Sequence, residues 1–94
     1  MNISDFIPVG RSNAILMKTL SERKGIKPRE CRRWVQRERE QGAPICSDWE
    51  HDGYYLPLNV SEALIYLRQQ NARIKSARAA LRGVKKYIKE NKGE

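Results

Sequence analysis

The feature that most constrains the fold is a glycine followed three residues later by a proline, Gly25 and Pro28, in the segment LSERKGIKPRECRRWV. Glycine is favoured where a chain leaves a helix through a left-handed residue. Proline is favoured at the first position of a new helix, where its missing N–H costs nothing. The pair therefore predicts two helices joined by a short turn.

The first helix is predicted to run from Asn13 to about Lys24. Apolar and small residues recur there at helical spacing, and either Ser12 or Asn13 can accept a hydrogen bond from an unpaired N–H at the helix start. The residues at this spacing are Ile15, Leu16, Thr19 and Leu20.

The second helix, residues 28–41, is predicted to have one apolar and one cationic face. At 100° per residue, Cys31, Trp34 and Val35 fall on one side and form the core face. The opposite side carries Arg29, Arg33, Gln36 and Arg37, with Arg32 beside them.

The spacing of these residues resembles the helix-turn-helix motif, which has a small residue, a turn glycine four positions later, and apolar residues six and nine positions after that. The matching residues are Leu20, Ser21, Gly25, Ile26, Cys31, Trp34 and Val35. Ser21 would let the helices approach closely. Lys27 departs from the Ser or Thr that usually caps the second helix, which leaves the position of its first turn open.

The segment after the second helix indicates a β-hairpin. Ile45 and Tyr55 supply apolar contacts, Asp52 and Gly53 serve the turn, and Pro57 ends the second strand. A helix-turn-helix followed by a hairpin is similar to a winged helix-turn-helix domain. It also resembles small regulatory proteins of bacteriophages and mobile elements, with their Asn-Ala helix start, Gly-x-Pro-Ile strand and Gly-Tyr-Tyr-Leu strand.

The resemblance covers roughly residues 7–57. It implies a fold that is mainly α with a small β-hairpin. The expected organisation is a winged helix-turn-helix domain over residues 1–58 and a long, coiled-coil-like C-terminal helix over residues 59–94.

Charge is segregated along the chain, and the 94 residues carry a net charge of +8. Residues 10–42 hold ten Lys or Arg and four Glu, and residues 60–94 hold nine and three. The excess of positive charge implies a polyanionic partner such as nucleic acid, with an anionic membrane surface as the weaker alternative.

Between the two basic regions, the predicted tip of the hairpin is acidic, with Asp48, Glu50 and Asp52. DNA would repel these carboxylates at close range, so the hairpin is expected to stand away from the duplex or to meet a basic protein surface. Trp49 either contacts such a partner or folds back onto the domain.

The last third of the chain carries a heptad pattern, which predicts one helix of about thirty residues. Asn59 or Ser61 can cap its start, and Gly83 can mark a bend. A homodimer through this seam is expected, with a helix folded back along a monomer as the alternative. The predicted dimerisation residues are Leu67, Gln70, Ile74, Ala77, Leu81, Val84 and Ile88.

No enzyme, cofactor or metal site is expected from the sequence. Cys31, Cys46 and His51 lack the spacing of zinc ligands, and His51 stands alone in a predicted turn between two carboxylates. Apolar runs fall short of the ~20 residues of a membrane-spanning helix, and the first residues do not resemble a signal peptide, so a cytoplasmic protein is expected.

The leading hypothesis is a sequence-specific double-stranded DNA-binding protein that places helix 28–41 in the major groove. Arg29 and Arg33 are the candidates for guanine and Gln36 for adenine, whereas Lys27, Arg32 and Arg37 would contact phosphates. Transcription regulation, DNA architecture and replication remain open within this class. The competing hypothesis is a protein-interaction module that uses the Trp49 hairpin and the long helix, and RNA binding is a third, weaker possibility.

Overall fold

The computed structural model describes residues 2–48 and 53–92 and is mainly helical, with a small antiparallel sheet and a long, bent C-terminal helix. Two short 3-10 helices, Ile3–Phe6 and Arg11–Asn13, come first. The elements that follow are β1 (Ile15–Leu16), α1 (Met17–Lys24), α2 (Pro28–Glu40), β2 (Cys46–Asp48), β3 (Gly53–Tyr55), α3 (Val60–Ala80) and α4 (Arg82–Asn91). The mainly α class predicted from the sequence is confirmed.

The predicted turn between the first two helices is present. Gly25 follows the last residue of α1 with φ 74° and ψ 33°. This left-handed conformation is unfavourable for residues other than glycine, because they carry a Cβ. Its N–H donates to the carbonyl of Glu22, and the N–H of Ile26 donates to that of Ser21. Pro28 opens α2, and the side chain of Lys27 makes no capping hydrogen bond.

The predicted start of the first helix at Asn13 is wrong, because α1 begins at Met17. Ile15 and Leu16 form β1 instead, where Ile15 is buried and Leu16 is exposed. Pairing with β3 satisfies the backbone of these two residues, and this tertiary contact outweighs their local fit to a helix. Asn13 does not cap α1, since its side-chain amide donates to the carbonyl of Val9.

The predicted hairpin is part of a three-stranded sheet. β3 lies in the middle, antiparallel to both β1 and β2. Tyr54 of β3 stands opposite Ile15 on one side and Ser47 on the other. The strand β1 therefore fastens the hairpin to the segment that leads into α1.

The core lies between the N-terminal segment, the helices α1 and α2, and the sheet. Ile3, Leu20 and Cys31 are completely buried, and Val35 and Ile45 are nearly so. Phe6, Trp34 and Leu56 are among the partly buried side chains that pack around this cluster. The predicted core face of α2 is thus confirmed, with Cys31 and Val35 inside and Trp34 at its edge.

The predicted single C-terminal helix is divided at Leu81 into α3 and α4. The N–H of Leu81 bonds to the carbonyl of Arg78, three residues back, which tightens the turn locally. The break therefore comes two residues before Gly83, the position predicted for a bend. Asn59, not Ser61, caps the start, and its Oδ1 accepts a hydrogen bond from the N–H of Glu62 at 3.0 Å.

The C-terminal helix does not fold back over the domain. Residues 71–90 are exposed at every position, whereas the first turns of α3 are partly covered. No helix in the described part of the chain is long and apolar enough to cross a membrane. Trp49, Glu50, His51 and Asp52, at the predicted tip of the hairpin, lie outside the described residues.

Candidate nucleic-acid interface

The outward face of α2 carries a dense group of cations. All six residues predicted to bind DNA lie on α2 or at the residue that precedes it, and all six are exposed. They are Lys27, Arg29, Arg32, Arg33, Gln36 and Arg37. A continuous line of basic side chains on one helix favours a polyanion as the ligand.

The inward face of α2 is held by apolar contacts and by one buried carboxylate. Cys31 and Val35 lie in the core. Glu38 is only 3% exposed, and its Oε2 and Oε1 accept hydrogen bonds from the N–H groups of Ile3 and Ser4 at 2.6 and 3.0 Å. The carboxylate thus ties the end of α2 to the first 3-10 helix and fixes the direction of the outward face.

The polar side chains on the outward face of α2 differ in the contacts that they make within the protein. Among the described residues, the side chains of Lys27, Arg29 and Arg33 make no hydrogen bond or ion pair. The amide of Gln36 donates to Glu40 at 3.1 Å, and the guanidinium of Arg37 lies 5.5 Å from the centre of the Trp34 ring. Arg29 and Arg33 can therefore meet a ligand without breaking an internal contact.

Trp34 supports the edge of this surface. The ammonium of Lys24 lies 5.0 Å from its ring centre and 5.5 Å from that of Phe6, so a cation from each helix stacks on the indole. Such contacts contribute roughly 0.5–1 kcal/mol each at exposed sites. The contact of Lys24 with Trp34 joins the end of α1 to α2, next to the turn.

Arg39 has a structural role that its position in the sequence does not indicate. Its Nε donates to the carbonyl of Ile45 at 2.9 Å, and its guanidinium lies 5.9 Å from the ring centre of Tyr54 and 5.8 Å from that of Tyr66. This arginine therefore connects α2 with the sheet and with α3. No sequence signal distinguishes it from the neighbouring arginines, because the distinction depends on which residues fold against it.

A small cleft lies where α2 meets the sheet. Its volume is about 180 Å³, below the ~300 Å³ at which sites for drug-sized ligands begin. The lining residues are Met17, Arg32, Arg39, Ser47, Asp48, Gly53 and Tyr54. The cleft places Arg32 beside the hairpin, at the side of the cationic face.

Asp48 does not belong to an exposed acidic tip, which corrects the prediction for this residue. It is 8% exposed, and its Oδ2 lies 3.4 Å from Nε of Arg11. The nearby Glu62 accepts hydrogen bonds from the N–H groups of Arg11 and Leu58 at 3.2 and 3.0 Å. These carboxylates anchor the start of α3 to the N-terminal segment and the hairpin, so the charge of Asp48 is directed inward.

The two cysteines are buried within the fold, and for Cys31 this agrees with its predicted place on the core face of α2. Burial raises the pKa of the Cys31 thiol and of the Cys46 thiol above the ordinary value, and the neighbouring Arg32 and Arg39 oppose this only in part. Within the described ranges, no group of three or more His, Cys, Asp or Glu is arranged to hold a metal ion.

These thiols should react slowly with an alkylating reagent. Because only the thiolate is nucleophilic, a buried thiol with a raised pKa is protected at pH 8 both sterically and chemically. We expect iodoacetamide to modify Cys31 and Cys46 much more slowly in the folded protein than in 6 M guanidinium chloride, measured by mass spectrometry. Equal rates in the two solvents would contradict the burial of both side chains.

The predicted dimerisation residues lie along α3, at the break, and along α4. Leu67, Ile74, Leu81, Val84 and Ile88 are each between 50% and 58% exposed. Ala77 is exposed as well, whereas Gln70 is partly buried close to the domain. Six of these seven side chains are therefore left exposed by the described part of the chain, and Gln70 is the exception.

Comparisons with protein-family models, with curated proteins and with solved structures gave no match.

Proposed function

We propose that this protein is a sequence-specific double-stranded DNA-binding protein of the winged helix-turn-helix type, with α2 as the helix that enters the major groove. The observation that carries the proposal is the exposed face of α2, where Arg29 and Arg33 have no partner among the described residues. The order of elements supports it too, since two helices joined at Gly25 are followed by an antiparallel hairpin.

The dimensions of α2 suit this role. Its 13 residues span ~20 Å, and the major groove is ~12 Å wide and admits one helix. Helix-turn-helix proteins read bases with the N-terminal part of the second helix, which here begins at Pro28. Arg29 and Arg33 project from this part, one turn apart, and bidentate pairing of arginine with guanine is the commonest specific contact.

The other cations are assigned by their position and by their internal contacts. Lys27 precedes the helix, and Arg32 and Arg37 flank the line of Arg29 and Arg33, where phosphates would lie. Gln36 is assigned to adenine, and it would exchange its hydrogen bond with Glu40 for one to the base.

Alanine substitutions should separate base reading from phosphate binding. Arg33→Ala should reduce discrimination at one base position by about 1–3 kcal/mol, whereas Lys27→Ala should weaken all duplexes alike and lower the salt slope by about one. The measurement is selection of random duplexes at ~0.15 M salt with competitor, followed by titration of the selected and a scrambled site.

Arg82→Ala is the matched control, because it removes the same charge from an exposed position on α4, away from α2. It should leave the base preference of the protein unchanged. If Arg33→Ala and Lys27→Ala both bind every duplex as the parent does, α2 is not the DNA-reading element. If no sequence is enriched, the protein is not a sequence-specific DNA binder.

A second candidate function is a protein-interaction module, and the exposed apolar line on α3 and α4 favours it. In that case Leu81→Glu should abolish binding to the partner protein in the cell, whereas Arg29→Ala and Arg33→Ala should leave this binding intact. Among DNA-binding roles, transcription regulation, DNA architecture and replication in a phage or mobile element all require the same α2 surface.

A further inference from the structure

The C-terminal helix exposes a line of apolar residues at heptad spacing, with members on both sides of its bend. Five large side chains, one per heptad, are each at least 50% exposed. They are Val60, Leu67, Ile74, Leu81 and Ile88. Scattered apolar residues are normal on a protein surface, but a continuous line over the whole of α3 and α4 is typical of a contact with another helix.

We infer that α3 and α4 pair with α3 and α4 of a second copy of this chain in an antiparallel, two-fold symmetric arrangement. Among the registers that align the heptads, the one that overlaps the whole of residues 60–91 has Ile74 of each copy facing Ala77 of the other, with the two-fold axis between them. Outward from this centre, Leu81 faces Gln70 and Val84 faces Leu67. The inference does not depend on the ligand of α2.

The sizes of the side chains along the seam favour a second copy in this direction. The five large residues of the exposed line occupy one core position of the heptad, and the other core position carries mostly smaller ones, namely Ala63, Gln70, Ala77 and Val84. An antiparallel pair sets each large residue against a residue of the second set, as in Ile74 with Ala77 and Ile88 with Ala63. A parallel pair would instead stack large on large and alanine on alanine, which alternates crowded layers with gaps.

Charge also selects the antiparallel direction. The charged residues that flank the seam at the e and g heptad positions of residues 60–91 are all basic, namely Arg73, Arg78 and Lys85. In a parallel pair, Arg73 of each copy would lie against Arg78 of the other, and two such like-charge contacts would oppose association.

The antiparallel register removes this repulsion. Arg73 then lies opposite Ala80, and Arg78 lies opposite Asn71, so neither cation faces another across the seam. Lys85 lies opposite Leu64, whose surface can accept the aliphatic part of the lysine side chain. The cationic heads can remain in water on the outer sides of the pair.

Gln70 is partly buried and lies between the folded domain and the centre of the seam, where it faces Leu81 of the other copy. For a straight pair, the two Val60 residues would be about 45 Å apart, so the two folded domains would lie at opposite ends of the helix pair.

Distances between spin labels test both the association and its direction. Lys75→Cys places a label beside the two-fold axis, and Lys86→Cys places one in α4, on the outer side of the helix; both positions are exposed. Labelling under native conditions should leave Cys31 and Cys46 largely unmodified, because both are buried. An antiparallel pair predicts a short distance at position 75 and an axial separation of about 30 Å at position 86.

Distances without this axial separation at position 86 would show a parallel pair and overturn the inferred direction. A mass of one chain in sedimentation at micromolar concentration, with no label pairs, would overturn the second copy as the occupant and leave an acidic helix of another protein.

A pair of charge substitutions tests the seam itself. Ile74→Glu should yield the single-chain mass, whereas Ala72→Glu, an equal charge change at an exposed position on the outer side of α3, should keep the double mass. Unchanged helicity by circular dichroism would show that Ile74→Glu remains folded. A double mass for both variants would contradict the assigned seam.

Discussion

Replacement of Glu38 with alanine should lower the free energy of unfolding by about 3 kcal/mol. The carboxylate accepts hydrogen bonds from the N–H groups of Ile3 and Ser4, and it is almost completely buried. Each hydrogen bond to a charged group is worth about 1.5–3 kcal/mol, and the variant leaves a buried N–H of Ile3 without its partner. Loss of both bonds should also release the first 3-10 helix from α2.

Denaturant unfolding followed by circular dichroism measures this effect, and the midpoint should fall with little change in slope. Glu40→Ala is the matched control, because Glu40 is exposed on the same helix and accepts one hydrogen bond from Gln36. It should change the free energy of unfolding by less than about 0.5 kcal/mol. A similar small effect for both variants would contradict the anchoring role of Glu38.

Gly53→Ala should destabilise the fold by about 1–3 kcal/mol, the usual effect of overpacking. A Cβ at this position would lie 2.7 Å from the Cβ of Ala14, well inside van der Waals contact. Ala14 directly precedes β1, which pairs with β3 at this point. Neither segment can therefore move away from the other without disturbing the sheet. The steric cost falls on the contact between the hairpin and the segment that leads into α1.

A double variant separates this clash from other consequences of the substitution. Ala14→Gly together with Gly53→Ala removes one of the two Cβ atoms and should recover most of the lost stability, as measured by thermal and denaturant unfolding. Gly83→Ala is a control in which the added Cβ has no clash, because it meets nothing within 4 Å. The higher helix propensity of alanine predicts that the free energy of unfolding rises by up to ~1 kcal/mol. If the double variant were no more stable than Gly53→Ala alone, the Ala14 contact would not be the cause.

Local residue chemistry was sufficient to predict the turn between α1 and α2 and the buried face of α2. The left-handed Gly25, Pro28 at the start of α2, and the buried Cys31 and Val35 all appear where the spacing indicated. Each of these features depends on the backbone preferences of one residue or on the period of one helix. The cationic surface followed from the same period, because charged residues opposite an apolar face must meet water.

The predictions that were wrong concern residues whose conformation depends on contacts with distant parts of the chain. Ile15 and Leu16 fit a helical pattern, yet they pair with β3, which lies nearly forty residues further along the chain. Asp48 looked like part of an exposed acidic tip, but Arg11 pairs with it. No local pattern distinguishes an aspartate that meets solvent from one that meets an arginine of another segment.

The sequence by itself determined the turn at Gly25, the apolar and cationic faces of α2, and the heptad pattern of the C-terminal helix. It also narrowed the residue that caps the start of α3 to two candidates, Asn59 and Ser61. These features follow from backbone preference and from helical periodicity, which act over a few residues. Only the tertiary structure decided the third strand, the inward charge of Asp48, the anchoring of α2 by Glu38 and the bridging role of Arg39. Those features depend on which distant groups satisfy one another's hydrogen bonds and charges once the chain is folded, and local spacing does not encode that choice.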